Sequence, residues 1–214
     1  MLNHDLERSV QDELMWDPMI DASAIAVTAD DDGRVTLRGT VGTYSQKFMS
    51  ASDAKRIFGV TAVDNKLEVD LLATRDDDEL RGEVLQALML NSLVPSTVDA
   101  TVDDGFITLT GTADWQFQRD EAESAASSIE GIRDMFDDIA LKPRPSSIGI
   151  EESIAAAFKR NAGLDAGQLS VSTSDGTVTI RGDVRSWAEH DQALAAAWAA
   201  PGVSNVDDRI NITY

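Results

Sequence analysis

Carboxylates are the main side chains of this sequence that are suited to acid–base or metal chemistry. Its 214 residues include 38 aspartates and glutamates, two histidines and no cysteine. The lack of cysteine excludes a thiolate metal site, a thiol nucleophile and a disulfide framework. His4 lies near the N-terminus and His190 in a predicted helix, where we expect an exposed ring. Because there is no phosphate loop, His-Glu-x-x-His or Gly-x-Ser-x-Gly sequence, we predict no catalytic residue and no enzymatic activity.

Three runs of acidic residues are the candidate cation ligands, at positions 30–32, 76–78 and 137–138. None of them has the spacing of an EF-hand loop. A hairpin turn, a helix start and a strand bulge are predicted at these places, and turns and helix starts favour acidic residues without any ligand. We therefore predict no metal-binding and no cofactor-binding residue, and we keep potassium or calcium binding as an alternative.

Aromatic side chains near the starts of three similar helices are the candidate surface contacts. They are Tyr44, Trp115, Phe117 and Trp187. Trp and Tyr suit a boundary between apolar and aqueous surroundings, which favours contact with a partner or a membrane edge. The alternative is that these rings pack over the end of a sheet. We expect Trp16, together with Met15 and Met19, and also Trp198, to lie in the core.

The net charge of −20 limits the classes of partner that the protein can bind. A chain this acidic is repelled by nucleic-acid backbones and by anionic lipid surfaces, so we predict no nucleic-acid partner. The N-terminal residues have neither the basic nor the apolar segment of a secretory signal, and no apolar run approaches the roughly 20 residues of a transmembrane helix. We expect a cytoplasmic protein, or a periplasmic one if the chain is processed.

One eight-residue pattern, Asp-Gly-x-Val/Ile-Thr-aliphatic-x-Gly, occurs three times, at 32–39, 104–111 and 175–182. Asp-Gly between two β-rich runs predicts a hairpin with a type I′ turn, because both central residues of that turn need positive φ. The closing glycines, Gly39, Gly111 and Gly182, predict a positive φ or a close backbone approach. The pattern therefore divides the chain into three repeats.

Each repeat has a helix before the hairpin and another after it. The first helices carry apolar residues at i, i+4 and i+8: Leu6, Val10 and Leu14; Leu80, Val84 and Leu88; Ile150, Ile154 and Phe158. The second helices begin at capping boxes in 43–46 and 186–189, or at Asp114, and we predict that they end at Gly59, Gly131 and Gly202. A third strand follows, with a predicted bulge near 64–65, 137–138 and 207–208.

The predicted fold class is α/β of the two-layer α+β kind, with three tandem αββαβ units. The units are 1–72, 73–142 and 143–214, and 143–149 is a Pro/Ser linker. Each unit is a three-stranded mixed sheet covered by two helices, in which the strands joined by the second helix are parallel. The edge strands could pair between units or chains, so oligomerisation stays open.

The hairpin, the following helix and the Gly-Val-x-x-Val strand resemble the BON domain, the bacterial osmotic-stress and nodulation domain. Gly-Val occurs as Gly59-Val60 and Gly202-Val203, and as Gly131-Ile132 in the middle repeat. The resemblance covers nearly the whole chain. It implies a non-enzymatic protein, since family members are generally not enzymes. Many lie in the bacterial envelope and are thought to bind phospholipid surfaces, some are induced by osmotic stress, and one cytosolic relative binds potassium.

The expected function is therefore that of a non-enzymatic, stress-associated binding protein. Its partner would be a phospholipid or envelope surface, or another protein. The alternative is a cytosolic protein that binds potassium or calcium.

Overall fold

A computed structural model describes residues 3–70, 75–142 and 149–214, apart from 162, 166 and 175. Over these residues the order helix, strand, strand, helix, strand occurs three times. The predicted αββαβ architecture is confirmed. Asp175, residues 71–74 at the predicted boundary of units 1 and 2, and 143–148 of the predicted Pro/Ser linker lie outside the described residues.

The elements of the three repeats have closely similar lengths. Repeat 1 contains α1 (Asn3–Trp16), a 3₁₀ turn (Ala22–Ala24), β1 (Ile25–Ala29), β2 (Arg34–Val41), α2 (Tyr44–Arg56) and β3 (Ala62–Val69). Repeat 2 contains α3 (Asp77–Leu90), β4 (Asp99–Asp103), β5 (Phe106–Ala113), α4 (Gln116–Ser127) and β6 (Asp134–Leu141). Repeat 3 contains α5 (Ile150–Arg160), β7 (Leu169–Ser174), β8 (Thr177–Val184), α6 (Trp187–Trp198) and β9 (Asn205–Ile212).

The chain forms two compact units. The first covers Met1–Ala113 and Phe117–Ala140, and so holds repeats 1 and 2; the second covers Asp114–Gln116 and Leu141–Tyr214.

Each repeat has its own three-stranded sheet with the second strand in the centre. β1 pairs antiparallel with β2, and β2 pairs parallel with β3; β7, β8 and β9 repeat this arrangement. The predicted parallel pairing across the second helix is therefore confirmed in repeats 1 and 3.

The core of each repeat lies between the helices and one face of the sheet. All nine apolar residues of the predicted helix stripes are buried, as are Val35 and Leu37 on β2 and their equivalents on β5 and β8. Burying each such side chain contributes about 1.5–3 kcal/mol relative to leaving it in water. The apolar period of the first helices thus identified the core correctly.

The bulge predicted in the third strand is wrong for repeats 1 and 3. β3 pairs with β2, and β9 with β8, residue by residue without a skip. The apolar period is interrupted because the middle core-facing position holds a polar residue, Asn65 in repeat 1 and Asp208 in repeat 3. A regular strand with one polar side chain in its inward row produces the same spacing as a bulge.

The type I′ turn is confirmed in repeat 2 and wrong in repeat 1. Asp104 and Gly105 both have positive φ, at 49° and 78°. In repeat 1 only Gly33 does, and Asp30 and Arg34 flank a three-residue loop closed by a bond from Asp30 N to Arg34 O. The loop of repeat 1 therefore has three residues, 31–33, one more than the two-residue turn of repeat 2.

The second helices end earlier than their glycines predict. α2 ends at Arg56 and α4 at Ser127, whereas Gly59 and Gly131 lie three or four residues further on, with φ of 96° and 102°. These glycines form the turn into the third strand. There, the amide of Thr61 donates to Gly33 O of the hairpin at 2.9 Å, and the equivalent bond occurs in repeats 2 and 3.

The glycine that closes the repeated pattern allows a close backbone contact. Gly39 has φ of 125°, and a Cβ on it would lie 1.9 Å from Ala24 O. Gly111 and Gly182 have the same conformation, and a Cβ there would lie 2.2 Å from Thr97 O and 1.9 Å from Gln168 O. Any side chain would therefore push the start of the first strand away from the second.

We expect Gly39→Ala to lower the free energy of unfolding by about 2–4 kcal/mol, because both the φ angle and the carbonyl contact oppose a Cβ. Gly82→Ala is the matched control. Gly82 lies inside α3 with open space around its Cα, so alanine should stabilise by up to about 1 kcal/mol. Urea denaturation followed by circular dichroism measures both. Equal changes in the free energy of unfolding for Gly39→Ala and Gly82→Ala would contradict the steric role of Gly39.

Candidate functional site

One polar contact recurs between the second helix and the third strand of every repeat. The helix position, eight residues after the strand glycine, holds Lys47, Arg119 or His190; the strand position holds Asn65, Asp137 or Asp208. The sequence already showed a basic residue or histidine at this helix position in all three repeats. The strand position likewise holds a polar residue in all three repeats, and these two recurring polar positions were the signal in the sequence.

The contact differs in kind between repeats. In repeat 2, Arg119 Nε and Nη2 reach Asp137 Oδ2 at 2.8 and 2.7 Å. In repeat 1, Asn65 Nδ2 donates to the carbonyl of Lys47 at 2.7 Å, and the Lys47 ammonium pairs with Asp134 of repeat 2 at 2.8 Å. The same position therefore stabilises one repeat internally and joins two repeats elsewhere.

His190 is buried, which corrects the prediction of an exposed ring. It is 7% exposed, its Nε2 lies 2.7 Å from Asp208 Oδ2, and its Nδ1 lies 3.1 Å from Asp191 Oδ1. A protonated imidazole donates to both carboxylates, whereas a neutral one donates to a single carboxylate. The ring of Trp187 also packs edge to face against the imidazole, with the two ring centroids 4.9 Å apart. These contacts fix the ring within the fold.

The acidic runs are engaged by the chain's own amides and cations. Asp30 accepts from the amides of Asp32 and Arg34, and Asp76 caps α3 by accepting from Asp78 N and Glu79 N. Asp77 accepts from two amides of the repeat 2 hairpin, at 2.8 and 3.0 Å. Over the described ranges, no three His, Asp or Glu side chains converge in an arrangement able to hold a metal ion.

The four predicted contact aromatics all lie at or next to the start of a second helix. Tyr44 and Trp187 begin α2 and α6 at equivalent positions, whereas Trp115 lies one position earlier, where Thr43 and Ser186 cap the other two helices. Tyr44, Trp115 and Trp187 are partly buried, and Phe117 is exposed. Their role as a surface contact stays a prediction.

Tyr44 lines a cavity between repeats 1 and 2. The cavity measures about 270 Å³ and is lined by Tyr44 and Phe48 of α2, by Met135 of β6, and by Asp120, Glu123, Ser124 and Ser127 of α4. Ser45 Oγ donates to Ser127 O at 2.7 Å close by. Burial, Asp134 and Glu123 raise the pKa of Tyr44 to about 12. Burial, with Asp137 and Asp120, also raises the pKa of Glu123, and Arg119 opposes the shift.

Asp53 is a buried carboxyl on α2 that has no counterpart in the other repeats. It is 3% exposed; Oδ1 accepts from Arg56 at 2.5 Å, and among the described residues no donor lies within hydrogen-bond distance of Oδ2. Burial raises its pKa, Arg56 lowers it, and the nearby carboxylates of Asp17 and Glu13 raise it further. Repeats 2 and 3 have alanine at this position, so the fold does not require the carboxyl.

Apolar side chains at the ends of two first helices are exposed. Trp16, Met15 and Met19, predicted to be buried, extend into solvent, and Trp16 is 84% exposed. Repeat 2 has Met89, Leu90 and Leu93 at the equivalent helix end, and Met89 is 86% exposed. We call these two sets the helix-end patches. Trp198 is partly buried.

We expect Arg119→Met to destabilise the protein by about 3 kcal/mol, because it leaves the nearly buried Asp137 carboxylate without its guanidinium. The control Lys66→Met removes an exposed pair with Asp64 in the same compact unit, and should cost less than about 1 kcal/mol. Adding Asp137→Leu to Arg119→Met should recover part of the loss. Urea denaturation distinguishes the variants, and a loss of equal size for both single variants would refute the expectation.

We expect the free energy of unfolding of wild type to fall relative to Asp53→Asn as pH rises above about 4. A raised folded pKa means that Asp53 stabilises the fold while protonated, and that this contribution disappears as pH passes from the unfolded pKa of about 3.9 through the folded one. The free energy of unfolding of wild type should fall in the same way relative to Asp53→Ala. The measurement is denaturant unfolding from pH 4 to pH 7; a difference that is constant over this range would contradict the shift.

The sequence profile described as "BON domain" matches residues 3–70, 76–143 and 149–214. "Osmotically-inducible protein Y" of Escherichia coli (strain K12) is 33% identical over 119 residues, which are 52% of this chain and 59% of that protein. The chain thus spans about three-fifths of the length of this curated relative.

Among solved structures, CdsD, a structural protein of the type III secretion system of Chlamydia trachomatis, is 14% identical. The match covers 96% of this chain and 91% of the chain in that structure, with a TM-score of 0.28. A second structure, of the C-terminal domain of CdsD, is 12% identical with the same TM-score over the whole of both chains. Across the described part of the chain, every helix is too short or too polar to cross a bilayer. The three profile matches cover nearly all of the sequence, and the chain belongs to the BON domain family.

Proposed function

We propose that this protein is a non-enzymatic, stress-associated binding protein whose first two repeats contact a phospholipid surface. Membership of the BON domain family and the similarity to an osmotically inducible protein support a stress-associated binding role. The observation that favours a lipid surface is the exposure of the helix-end patches. Trp16 and Met89, each more than four-fifths exposed, are large apolar side chains that a membrane interface would cover.

The composition of the patches suits shallow insertion. Trp is favoured at the level of the lipid head groups, and Met and Leu gain from transfer to the acyl boundary. The helix-end patches also depend on individual repeats. In repeat 3 the equivalent end of α5 holds Lys159 and Arg160, so the exposed apolar end is not a requirement of the fold.

The net charge of the protein favours an uncharged lipid surface over an anionic one. With a net charge of −20, the chain is repelled by anionic vesicles at low salt. Asp12, Glu13 and Asp17 add negative charge around the end of α1. A zwitterionic surface of phosphatidylethanolamine therefore matches both the apolar patches and the charge.

We expect the full chain to float with phosphatidylethanolamine-rich zwitterionic vesicles in a sucrose gradient. The double variant Trp16→Ser/Leu90→Ser should lose most of this flotation, because it removes apolar area from both helix-end patches. The matched control is Phe136→Ser, which removes a half-exposed apolar ring from β6 and should float like wild type. No flotation of wild type at low or high salt, or unchanged flotation of the double variant, would overturn the proposal, and binding to another protein would then be the next candidate.

Ion binding is the alternative function. The acidic runs at 30–32 and 76–78 already accept hydrogen bonds from the chain's own amides, which reduces their capacity to bind an ion. Thermal unfolding in KCl or CaCl₂ against NaCl of equal ionic strength tests it, because a ligand of the native state must stabilise that state.

A further inference from the structure

The cavity between repeats 1 and 2 has the composition of a ligand site. It lies within one compact unit, between α2, α4 and β6. Two contacts hold its walls together: Ser45 Oγ to Ser127 O at 2.7 Å, and the ion pair of Lys47 with Asp134 at 2.8 Å. Lys47 is mostly buried there, which makes the contact between the repeats specific.

The walls combine aromatic and acidic groups. The rings of Tyr44 and Phe48 and the thioether of Met135 form an apolar surface, and Asp120 and Glu123 add carboxylates from α4. The nearby cations have acidic partners of their own: Lys47 pairs with Asp134, and Arg119 pairs with Asp137. The lining is therefore acidic and without a basic side chain. Burial first, and the neighbouring carboxylates second, raise the pKa of both Tyr44 and Glu123.

A cation with apolar substituents fits these walls better than a bare ion does. A volume of about 270 Å³ has room for several water molecules, and lies just below the range of ordinary ligand pockets. No metal-binding cluster occurs in the described ranges of the chain. Aromatic faces attract alkylated ammonium groups, and a quaternary ammonium sheds its hydration more easily than a small inorganic ion.

We propose that this cavity binds a small alkylammonium ion, with the cationic head against the rings of Tyr44 and Phe48 and beside the carboxylates of Asp120 and Glu123. Sequence differences between the repeats support a specialised site. The positions equivalent to Phe48 hold Asp120 and Asp191, and those equivalent to Glu123 hold Ala51 and Leu194. The pairing of an aromatic ring from repeat 1 with a carboxylate from repeat 2 therefore occurs at positions where the repeats differ, and the shared αββαβ fold does not require it.

The test is titration of the full chain with choline chloride, followed by isothermal calorimetry and by chemical shifts of the Tyr44 and Phe48 rings. We expect saturable binding that equal NaCl does not reproduce. The neutral isostere of choline, in which carbon replaces nitrogen, should bind at least about threefold more weakly, since it lacks the cation–π attraction.

Substitutions in the cavity walls locate the binding. Phe48→Leu should weaken choline binding by about threefold to fivefold, and Glu123→Gln should weaken it by a similar factor. Matched controls are Phe106→Leu, at a half-exposed ring of β5, and Glu68→Gln, at an exposed carboxylate of β3; both should bind as wild type does. Circular dichroism confirms that each variant is folded. Equal binding of the neutral isostere, or no effect of either wall variant, would overturn the proposal.

An alkylammonium group can belong to a free cation or to a lipid head group. Flotation of Phe48→Leu with phosphatidylcholine vesicles separates these sources. Reduced flotation assigns the site to the head group; wild-type flotation with weakened choline binding assigns it to a free cation. The proposal does not depend on the helix-end patches, because choline binding in vesicle-free solution is measured independently of flotation.

Discussion

The repeated structure depends on one steric constraint, the close approach of the strand glycine to the carbonyl that precedes the first strand. A hydrogen is the only substituent that fits at Gly39, Gly111 and Gly182, because a Cβ would overlap the oxygens of Ala24, Thr97 and Gln168. This approach sets the register of the antiparallel pair, and the central strand then positions its parallel neighbour. The core-facing rows of the sheet, and with them the second helix, follow from that register. The constraint acts three times, so the frame is the same in all three repeats.

Within this frame, a single pair of positions accounts for much of the difference between repeats. The second helix contributes Lys47, Arg119 or His190 to a core-facing polar residue of the third strand. Arg119 and His190 meet acids inside their own repeats, whereas Lys47 crosses to Asp134. Because β3 carries Asn65 instead of an acid at this position, the Lys47 ammonium pairs with repeat 2, and this ion pair joins the two repeats that form the cavity. The site there depends on a departure from the repeat pattern, while the patches of α1 and α3 depend on side chains that the frame leaves in solvent.

The elements were predictable because each has a local signature. Helix stripes, capping boxes and the Asp-Gly turn all lie within a few neighbouring residues, so the αββαβ order followed from spacing alone. Trp16 was placed wrongly because its type was equated with burial; at 100° per residue it lies about 200° around the helix from Leu14, away from the core. The polar strand position was mistaken for a bulge because a search for apolar periods treats a polar residue as a gap. The cavity had no local signature, since it exists only where two repeats meet.

The pairing of the second helix with the third strand also bears on errors of assembly. Tandem copies of one fold are prone to exchange equivalent strands, because a strand of one repeat fits the backbone of another. If β3 replaced β6, Asn65 would face Arg119, and the guanidinium would lose its carboxylate; if β6 replaced β3, the carboxylate of Asp137 would meet the carbonyl of Lys47. Either exchange leaves a charge or an acceptor unsatisfied in a mostly buried place. The polar residue at this position therefore favours pairing of β3 with α2 and of β6 with α4, whereas it does not distinguish β6 from β9, since both strands carry an aspartate there.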